Sequence, residues 1–409
     1  MNIGVKIDNL DISILLYADD IVLLAENEQN LQQMLTHLYN WCEKWQLEVN
    51  QEKTQIVHFR IPSQCKSKYI FKYGNENTIQ IVDKYRYLGI VLDEFLNFDA
   101  TINLLSESGS RALGGLIGKI RNLKYCGYNT FTKLFESCVS PILDYCSGVW
   151  GHKKCDKIES VQNRAMKHFL GINRFAPTYA VRGDMGWFSC HYRRNINTIR
   201  LWNRLLSLND ERLPKKLLQS EMNHPFRNWA GNIKDLFNSV DCSDTFLSKN
   251  LCSINFVSQQ LKNLEITPWQ NGIQNKPKLR SYILFKQEFI VENYVKSNIE
   301  KYLRSSLAQI RMGILPLHIE TGRYRNIPEK DRVCPFCPHE VESEFHFLCE
   351  CPEYLSDRNK LFDRLNNVNI NFSSFEARDK FVYMLKCSNK WIAEFINKSI
   401  LKRNEKLYN

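Results

Sequence analysis

The spacing of apolar residues changes character along the chain. Ile12-Ser13-Ile14-Leu15-Leu16-Tyr17-Ala18 and Ile21-Val22-Leu23-Leu24-Ala25 are apolar runs of strand length, with Asp19 and Asp20 between them. That pattern predicts a hairpin whose turn carries two carboxylates. Leu31, Met34, Leu35, Leu38, Cys42 and Trp45 follow at i, i+3, i+4, i+7, i+11 and i+14, the stripe of an amphipathic helix lying on a sheet. A turn around Asn50, an alternating strand ending at Phe59, and a β-like run from Tyr85 to Leu92 complete this part. Strand, helix, strand, strand predicts an α+β fold with a helix on an antiparallel sheet.

From about residue 100 the period becomes helical. Arg111–Asn122, Thr130–Leu143 and Lys157–Leu170 are predicted helices, with Pro141 and Gly171 as punctuation. Residues 206–280 are polar and irregular and predict a variable connector with some helix. Helical patterning returns from Leu279 to Gly322, followed by a Cys/His cluster and two terminal helices parted near Asn371-Phe372-Ser373-Ser374. The expected division is 1–98, 99–205, 206–280 and 281–409, with the Cys/His cluster at 331–354.

Composition narrows the class. With 409 residues, 44% hydrophobic, 24% charged, 17 Gly and 12 Pro, the chain is neither collagen-like nor wholly disordered. Fourteen cysteines without a secretory-type start suit a reduced, intracellular protein with some metal-binding thiols. The adjacent aspartates in the middle of the most apolar early run argue against a membrane anchor there. Charge is uneven: residues 1–110 hold 9 Lys+Arg against 15 Asp+Glu, a net of −6, leaving +17 on residues 111–409. A long basic stretch with interleaved aromatics is the pattern of a polyphosphate-binding surface.

Adjacent carboxylates repel each other, and a fold that keeps both at one turn is explained if a divalent cation, Mg²⁺ by preference, shares them. Tyr17-Ala18-Asp19-Asp20 between apolar strands resembles the catalytic hairpin of reverse transcriptases. The succeeding helix, the Val49-Asn50-Gln51-Glu52-Lys53-Thr54 turn and Tyr87-Leu88-Gly89 follow in that family's order. Ser140-Pro141-Ile142-Leu143-Asp144-Tyr145, Gly148-Val149-Trp150 and Val161-Gln162-Asn163-Arg164-Ala165 are similar to the region beyond the polymerase core in non-LTR (LINE-type) retrotransposons. The resemblance implies a partial palm over 1–98, a helical thumb-like region over 99–205, and metal ions on Asp19 and Asp20. It further implies Lys53 near the departing pyrophosphate, and Tyr87, Leu88 and Gly89 holding the primer end. RNA and DNA are the implied partners, with no membrane, and the nucleus is an implied place of work.

The C-terminal motif is Cys334-Pro335-Phe336-Cys337, then His346 and Cys351, a C-x2-C-x8-H-x4-C spacing suited to tetrahedral Zn²⁺. Cys349 competes with Cys351 for the fourth place; the x4 gap and the LINE resemblance favour Cys351. This reads as a CCHC zinc knuckle in a helical C-terminal domain, structural because four protein ligands leave no place for water. Arg311, Arg323, Arg325, Lys330 and Arg332 lead into it as candidate phosphate contacts, and Phe336, Phe345 and Phe347 lie within it. There is no Walker-type loop, His-Glu-x-x-His helix or Gly-x-Ser-x-Gly elbow, and no acidic and lysine cluster of a nuclease.

One departure from the family carries an expectation of its own. The resemblance implies another aspartate on a strand well upstream of the hairpin, together with fingers; only 11 residues precede Ile12, and Asp8 and Asp11 stand too close to the hairpin for that role. The chain alone is therefore expected not to polymerise DNA unless an upstream polymerase segment completes it. The other function class consistent with the sequence is a non-catalytic nucleic-acid-binding zinc-knuckle protein derived from a retroelement.

Overall fold

The computed structural model describes residues 3–75, 77–121, 123 and 126–408. Among these, ten short strands and one helix lie between Val5 and Asp93. Strands β1 (Val5–Ile7) and β2 (Leu10–Ile12) form one antiparallel hairpin, and β3 (Ile14–Tyr17) and β4 (Asp20–Leu23) a second. Helix α1 (Glu28–Trp45) starts where the Asn27 side chain accepts from the Asn30 amide at 2.9 Å, a cap that contributes about 1 kcal/mol. Then come β5 (Ile56–Val57), β6 (Phe71–Tyr73), β7 (Asn77–Ile79), β8 (Ile81–Val82), β9 (Lys84–Tyr87) and β10 (Ile90–Asp93).

The expected antiparallel sheet is realised as separate two-stranded ladders, and one of them, β5 with β8, is parallel. The predicted alternating strand up to Phe59 keeps only Ile56 and Val57 in a ladder. Cohesion comes instead from α1, whose Leu35 packs on Phe71, Tyr73 and Ile79 with Leu23, Leu31 and Leu38 around them. Gln32 fixes the approach, donating to the Lys72 carbonyl at 2.8 Å and accepting from its amide at 2.7 Å. Trp45, predicted as the end of the stripe, is 60% exposed: it lies in the last turn, beyond the reach of the β6–β7 hairpin.

The remainder is helical. Helix α2 (Asp99–Arg121) begins earlier than expected; Asn122, its predicted end, lies outside the described residues. The predicted helix at 130–143 is α3 (Tyr128–Cys138) and α4 (Ser140–Leu143), broken where Pro141, lacking an N–H, enters the first turn of the second. There follow α5 (Ser147–Trp150), α6 (Asp156–Leu170), α7 (Thr178–Met185) and α8 (Cys190–Leu206). Gly171 closes α6 at φ 73, its amide reaching the Lys167 and His168 carbonyls, a left-handed cap that glycine adopts without strain. Next are α9 (Leu213–Asn223), α10 (Trp229–Ser239), α11 (Ser243–Leu247), α12 (Ile254–Gln274), α13 (Asn293–Lys296), α14 (Lys301–Arg311) and α15 (His318–Thr321). The chain ends with hairpin β11 (Val333–Cys334) and β12 (Cys337–Val341), then α16 (Leu355–Val368), α17 (Ala377–Cys387) and α18 (Lys390–Tyr408).

Two compact units emerge from this order. One comprises Met1–Leu105, Cys146–Lys154 and Arg194–Val257; the other comprises Ser106–Tyr145, Cys155–Arg193 and Ser258–Asn409. The stretch 206–280, expected to be a variable connector with some helix, is mostly helical; its residues up to Val257 belong to the first unit and those from Ser258 to the second. In the first unit, Trp202 is fully buried against Phe237 and Phe246, its indole donating to the Asn250 carbonyl at 3.1 Å. The second unit has a core of Phe131, Phe135, Phe169 and Trp187. Among the described residues no helix is long and apolar enough to cross a membrane.

Candidate functional site

Pairing Tyr17 with Asp20 leaves Ala18 and Asp19 as a two-residue turn. Ala18 takes φ 51, a left-handed conformation that a turn of this length demands and that costs a non-glycine residue roughly 1 kcal/mol. The result sets Asp19 and Asp20 side by side at an exposed tip, with no side-chain partner for either carboxylate among the described residues. Among the described residues no third Asp, Glu, His or Cys joins them as a potential ligand set. Two free, adjacent carboxylates fit a hard divalent cation, which prefers oxygen ligands and keeps several waters.

A second hairpin lies within the electrostatic reach of Asp20. In β9–β10 the pair Tyr87–Ile90 encloses Leu88 (φ 46) and Gly89 (φ 88), the two positive φ values of a type I′ turn. Burial raises the Tyr87 hydroxyl above its ordinary range, and the negative charge of Asp20 raises it further, so Asp20 and Tyr87 share one locale. Tyr85, on the same strand, donates from its hydroxyl to the Lys53 carbonyl at 2.9 Å. The Lys53 turn is held from inside too, because Asn50 accepts from the Lys53 amide at 3.1 Å and from the Thr54 hydroxyl at 2.8 Å. The β9 strand thus ties the Lys53 turn to the Tyr87 hairpin, though the two lie far apart in sequence.

Around the hairpin the apolar side chains are unusually open. Ile14 is 47% and Leu16 67% exposed on one face, and Tyr17 is 62% exposed on the other. Among the described residues β3 and β4 pair only with each other, so both outer edges offer unpaired backbone groups.

The C-terminal cluster draws Cys334, Cys337, His346 and Cys351 together. Cys334 and Cys337 come from the β11–β12 hairpin; His346 opens a wide helical turn, His346–Glu350, that ends at Cys351. The Sγ atoms of Cys334 and Cys337 lie 3.9 Å and 3.8 Å from that of Cys351. Tetrahedral zinc with bonds of about 2.3 Å separates its sulfurs by about 3.8 Å. Both ring nitrogens of His346 are buried without a hydrogen-bond partner, a cost that a metal bond on one of them would remove. The Cys334 thiol is pulled down to about 4, first by the hydrogen bond from Cys351 and against its own burial. The donor set therefore fits a soft, four-coordinate cation. Cys349 is not part of it; burial pushes that thiol up to about 12. Phe347 is buried against Tyr354 and Phe336 packs on the same ring, so the phenylalanines make a small core there.

The five candidate phosphate contacts do not share one environment. Arg311 is fully buried: Nε and Nη2 donate to the two Asp184 oxygens at 2.9 Å each, and Glu292 lies 2.9 Å away. It stands as a correction, since its guanidinium is spent inside the protein. Burial alone would raise the Asp184 carboxyl, but the Arg311 charge and hydrogen bonds outweigh it and hold it below the usual range. Arg332 is also structural, donating to the Ile327 and Ile319 carbonyls at 2.9 Å each. Arg323 faces Glu320 at 3.5 Å. Arg325 and Lys330 are exposed, with no recorded partner among the described residues. Neither Asp184 nor Glu292 was visible as a partner in the sequence; the one hint was an arginine in the last turn of a helix whose neighbours are apolar.

Residues 3–92 match the family model described as reverse transcriptase (RNA-dependent DNA polymerase). Over 193 residues the chain is 28% identical to a protein named for the RNA-directed DNA polymerase from transposon BS of Drosophila melanogaster, covering 45% of this chain and 20% of that protein. It is 24% identical over 190 residues to the RNA-directed DNA polymerase from mobile element jockey of the same species, covering 44% and 20%. Over 191 residues it is 24% identical to the retrovirus-related Pol polyprotein from type-1 retrotransposable element R1 of Nasonia vitripennis, covering 43% and 57%. The chain spans about a fifth of the length of the first two. Its N-terminal segment is of the reverse-transcriptase kind, and its relatives are polymerases of LINE-type, non-LTR elements.

Proposed function

We propose that the chain supplies the downstream half of a reverse-transcriptase palm, with Asp19 and Asp20 as its carboxylates, and synthesises DNA on an RNA template when an upstream polymerase segment completes the site. The observation that carries this reading is the exposed Asp19–Asp20 pair at a hairpin tip, with no side-chain partner among the described residues, inside the segment matched to the reverse-transcriptase family. Magnesium held by the two aspartates would activate the primer 3′-hydroxyl and neutralise phosphate charge. Tyr87, Leu88 and Gly89 bear on the primer end, Gly89 letting the backbone approach closely, and Lys53 directs its charge toward the departing pyrophosphate. Open apolar side chains on both faces of the β3–β4 hairpin support a covering segment that brings the third carboxylate and the nucleotide pocket.

Cys334, Cys337, His346 and Cys351 hold structural Zn²⁺ in this reading, and Arg323, Arg325 and Lys330 contact nucleic acid beside it. A nuclear place of work accords with the partners. The competing function is a nucleic-acid-binding protein with a vestigial carboxylate pair, favoured by the absence of a third ligand at the hairpin among the described residues. Primer extension with Mg²⁺ on an RNA template separates the two. The chain with an upstream palm–fingers fragment should extend primer, and Asp19→Asn or Asp20→Asn should reduce extension at least 100-fold. Extension by the chain alone would refute the need for completion, and no extension in either tube with RNA binding intact would favour the binding protein.

A further inference from the structure

The three cysteines of the C-terminal cluster each offer one donor atom, whereas His346 offers two. Its imidazole belongs to two sets of groups. One is Cys334, Cys337 and Cys351; the other is Glu340 and Glu350, and within each set the donor atoms, one from His346 included, lie within 4.8 Å of one another. The nitrogen near Glu350 is Nδ1, 3.5 Å from a carboxylate oxygen.

This neighbourhood is built locally. His346 and Glu350 are the first and last residues of the wide turn His346–Glu350, and a separation of four residues puts two helical side chains on one face. The backbone of the turn is held at both ends. The Ser343 hydroxyl accepts from the His346 amide at 3.1 Å, and the Cys351 amide donates to the His346 carbonyl at 2.8 Å. Arg358, itself buried, donates to the Glu350 and Cys351 carbonyls at 3.2 Å and 2.9 Å. The Glu350 side chain, by contrast, is 45% exposed and has no Lys or Arg partner among the described residues.

Bound to an ion through one ring nitrogen, a histidine keeps the other as an N–H. Both nitrogens of His346 are out of water and without a hydrogen-bond partner, so ligation through one leaves the other a buried donor that needs an acceptor. Glu350 is placed to be that acceptor. Its distance exceeds the roughly 2.7–3.2 Å of a formed N–H···O bond, and rotation of its exposed side chain is enough to close the gap while the backbone stays fixed. Glu340, exposed on β12, makes no ion pair with the imidazole among the described residues. We infer that Glu350 is a positioning residue of the zinc centre: it accepts from Nδ1–H of His346, which fixes the tautomer that leaves Nε2 for the ion and makes that nitrogen a stronger donor. This deepens the zinc reading above and rests on it.

The test is competition for zinc between the full chain and a chromophoric chelator, joined to NMR of the cadmium-loaded, nitrogen-labelled protein. Glu350→Ala should weaken zinc binding about 10- to 100-fold with circular dichroism unchanged. Glu350→Gln, whose amide oxygen still accepts, should recover most of that loss. In the cadmium form the metal coupling should fall on Nε2 of His346, with the proton on Nδ1. Wild-type affinity in folded Glu350→Ala, or metal coupling on Nδ1, would overturn the inference, as would a second bound metal ion that Glu340→Gln removes, since the carboxylates would then be ligands. Each of these leaves zinc uptake by the wild-type chain intact. Failure of the wild-type chain to take up zinc at all is the separate result that would overturn the zinc reading, and the role of Glu350 with it.

Discussion

Asp184 accepts from Arg311, from the Tyr294 hydroxyl at 2.7 Å and from the Tyr282 hydroxyl at 2.9 Å, all without access to water. Removing the cation from such a set strands a buried carboxylate, so Arg311→Met should destabilise the protein by about 3–5 kcal/mol in urea denaturation, with Asp184→Asn in the same chain recovering part of the loss. The salt slope of RNA binding should not move, which separates this residue from a phosphate contact. Leu88 presents a different cost: at φ 46 it holds a conformation better suited to asparagine. Leu88→Asn should raise stability by about 0.5–1 kcal/mol while lowering extension by the completed enzyme, if the leucine is kept for the primer. His168 sets a pH dependence. Its folded pKa, about 4, lies below the ordinary 6.5, so the unfolded chain binds the extra proton first and stability falls as pH drops from about 6.5 toward 4. His168→Gln should flatten that limb of the stability curve.

At the scale of elements, regular punctuation was readable and short apolar stripes among polar residues were not. Asp19-Asp20 between apolar runs announced a hairpin, and Gly171 announced a helix end, because both rest on local backbone energetics. The cysteine spacing likewise placed two ligands on a tight turn. Its x4 gap favoured Cys351 over Cys349, and the turn starting at His346 carries Cys351 back to the β11–β12 hairpin. Zinc should therefore co-purify at roughly one equivalent, and its removal by a chelator, or Cys334→Ser, should raise amide exchange across 331–354 while leaving α1 and its strands protected. Unchanged exchange in metal-free protein would count against a structural ion. The stretch 206–280 holds more helix than its polar pattern suggests: α10 buries Ala230, Ile233 and Phe237 at i, i+3 and i+7, a stripe only two turns long, and α12 carries Pro268 in its interior, which reads as a break.

Over the whole molecule, the sequence divides into an acidic start and a basic remainder, which under the proposed function are the cation-holding and the polyanion-facing parts. The sequence by itself determined the order of the reverse-transcriptase elements, the carboxylate pair and the metal-ligand spacing, because these depend on residue type and on neighbours a few positions away. Which arginines are available to a ligand was decided only by tertiary structure. Arg311 and Arg325 have the same side chain, but one is enclosed with Asp184 and Glu292 from distant segments and the other faces water. The approach of Cys351 to Cys334 and Cys337 was settled at the same level. Coulomb energy and desolvation depend on distance and burial in space, and separation along the chain encodes neither.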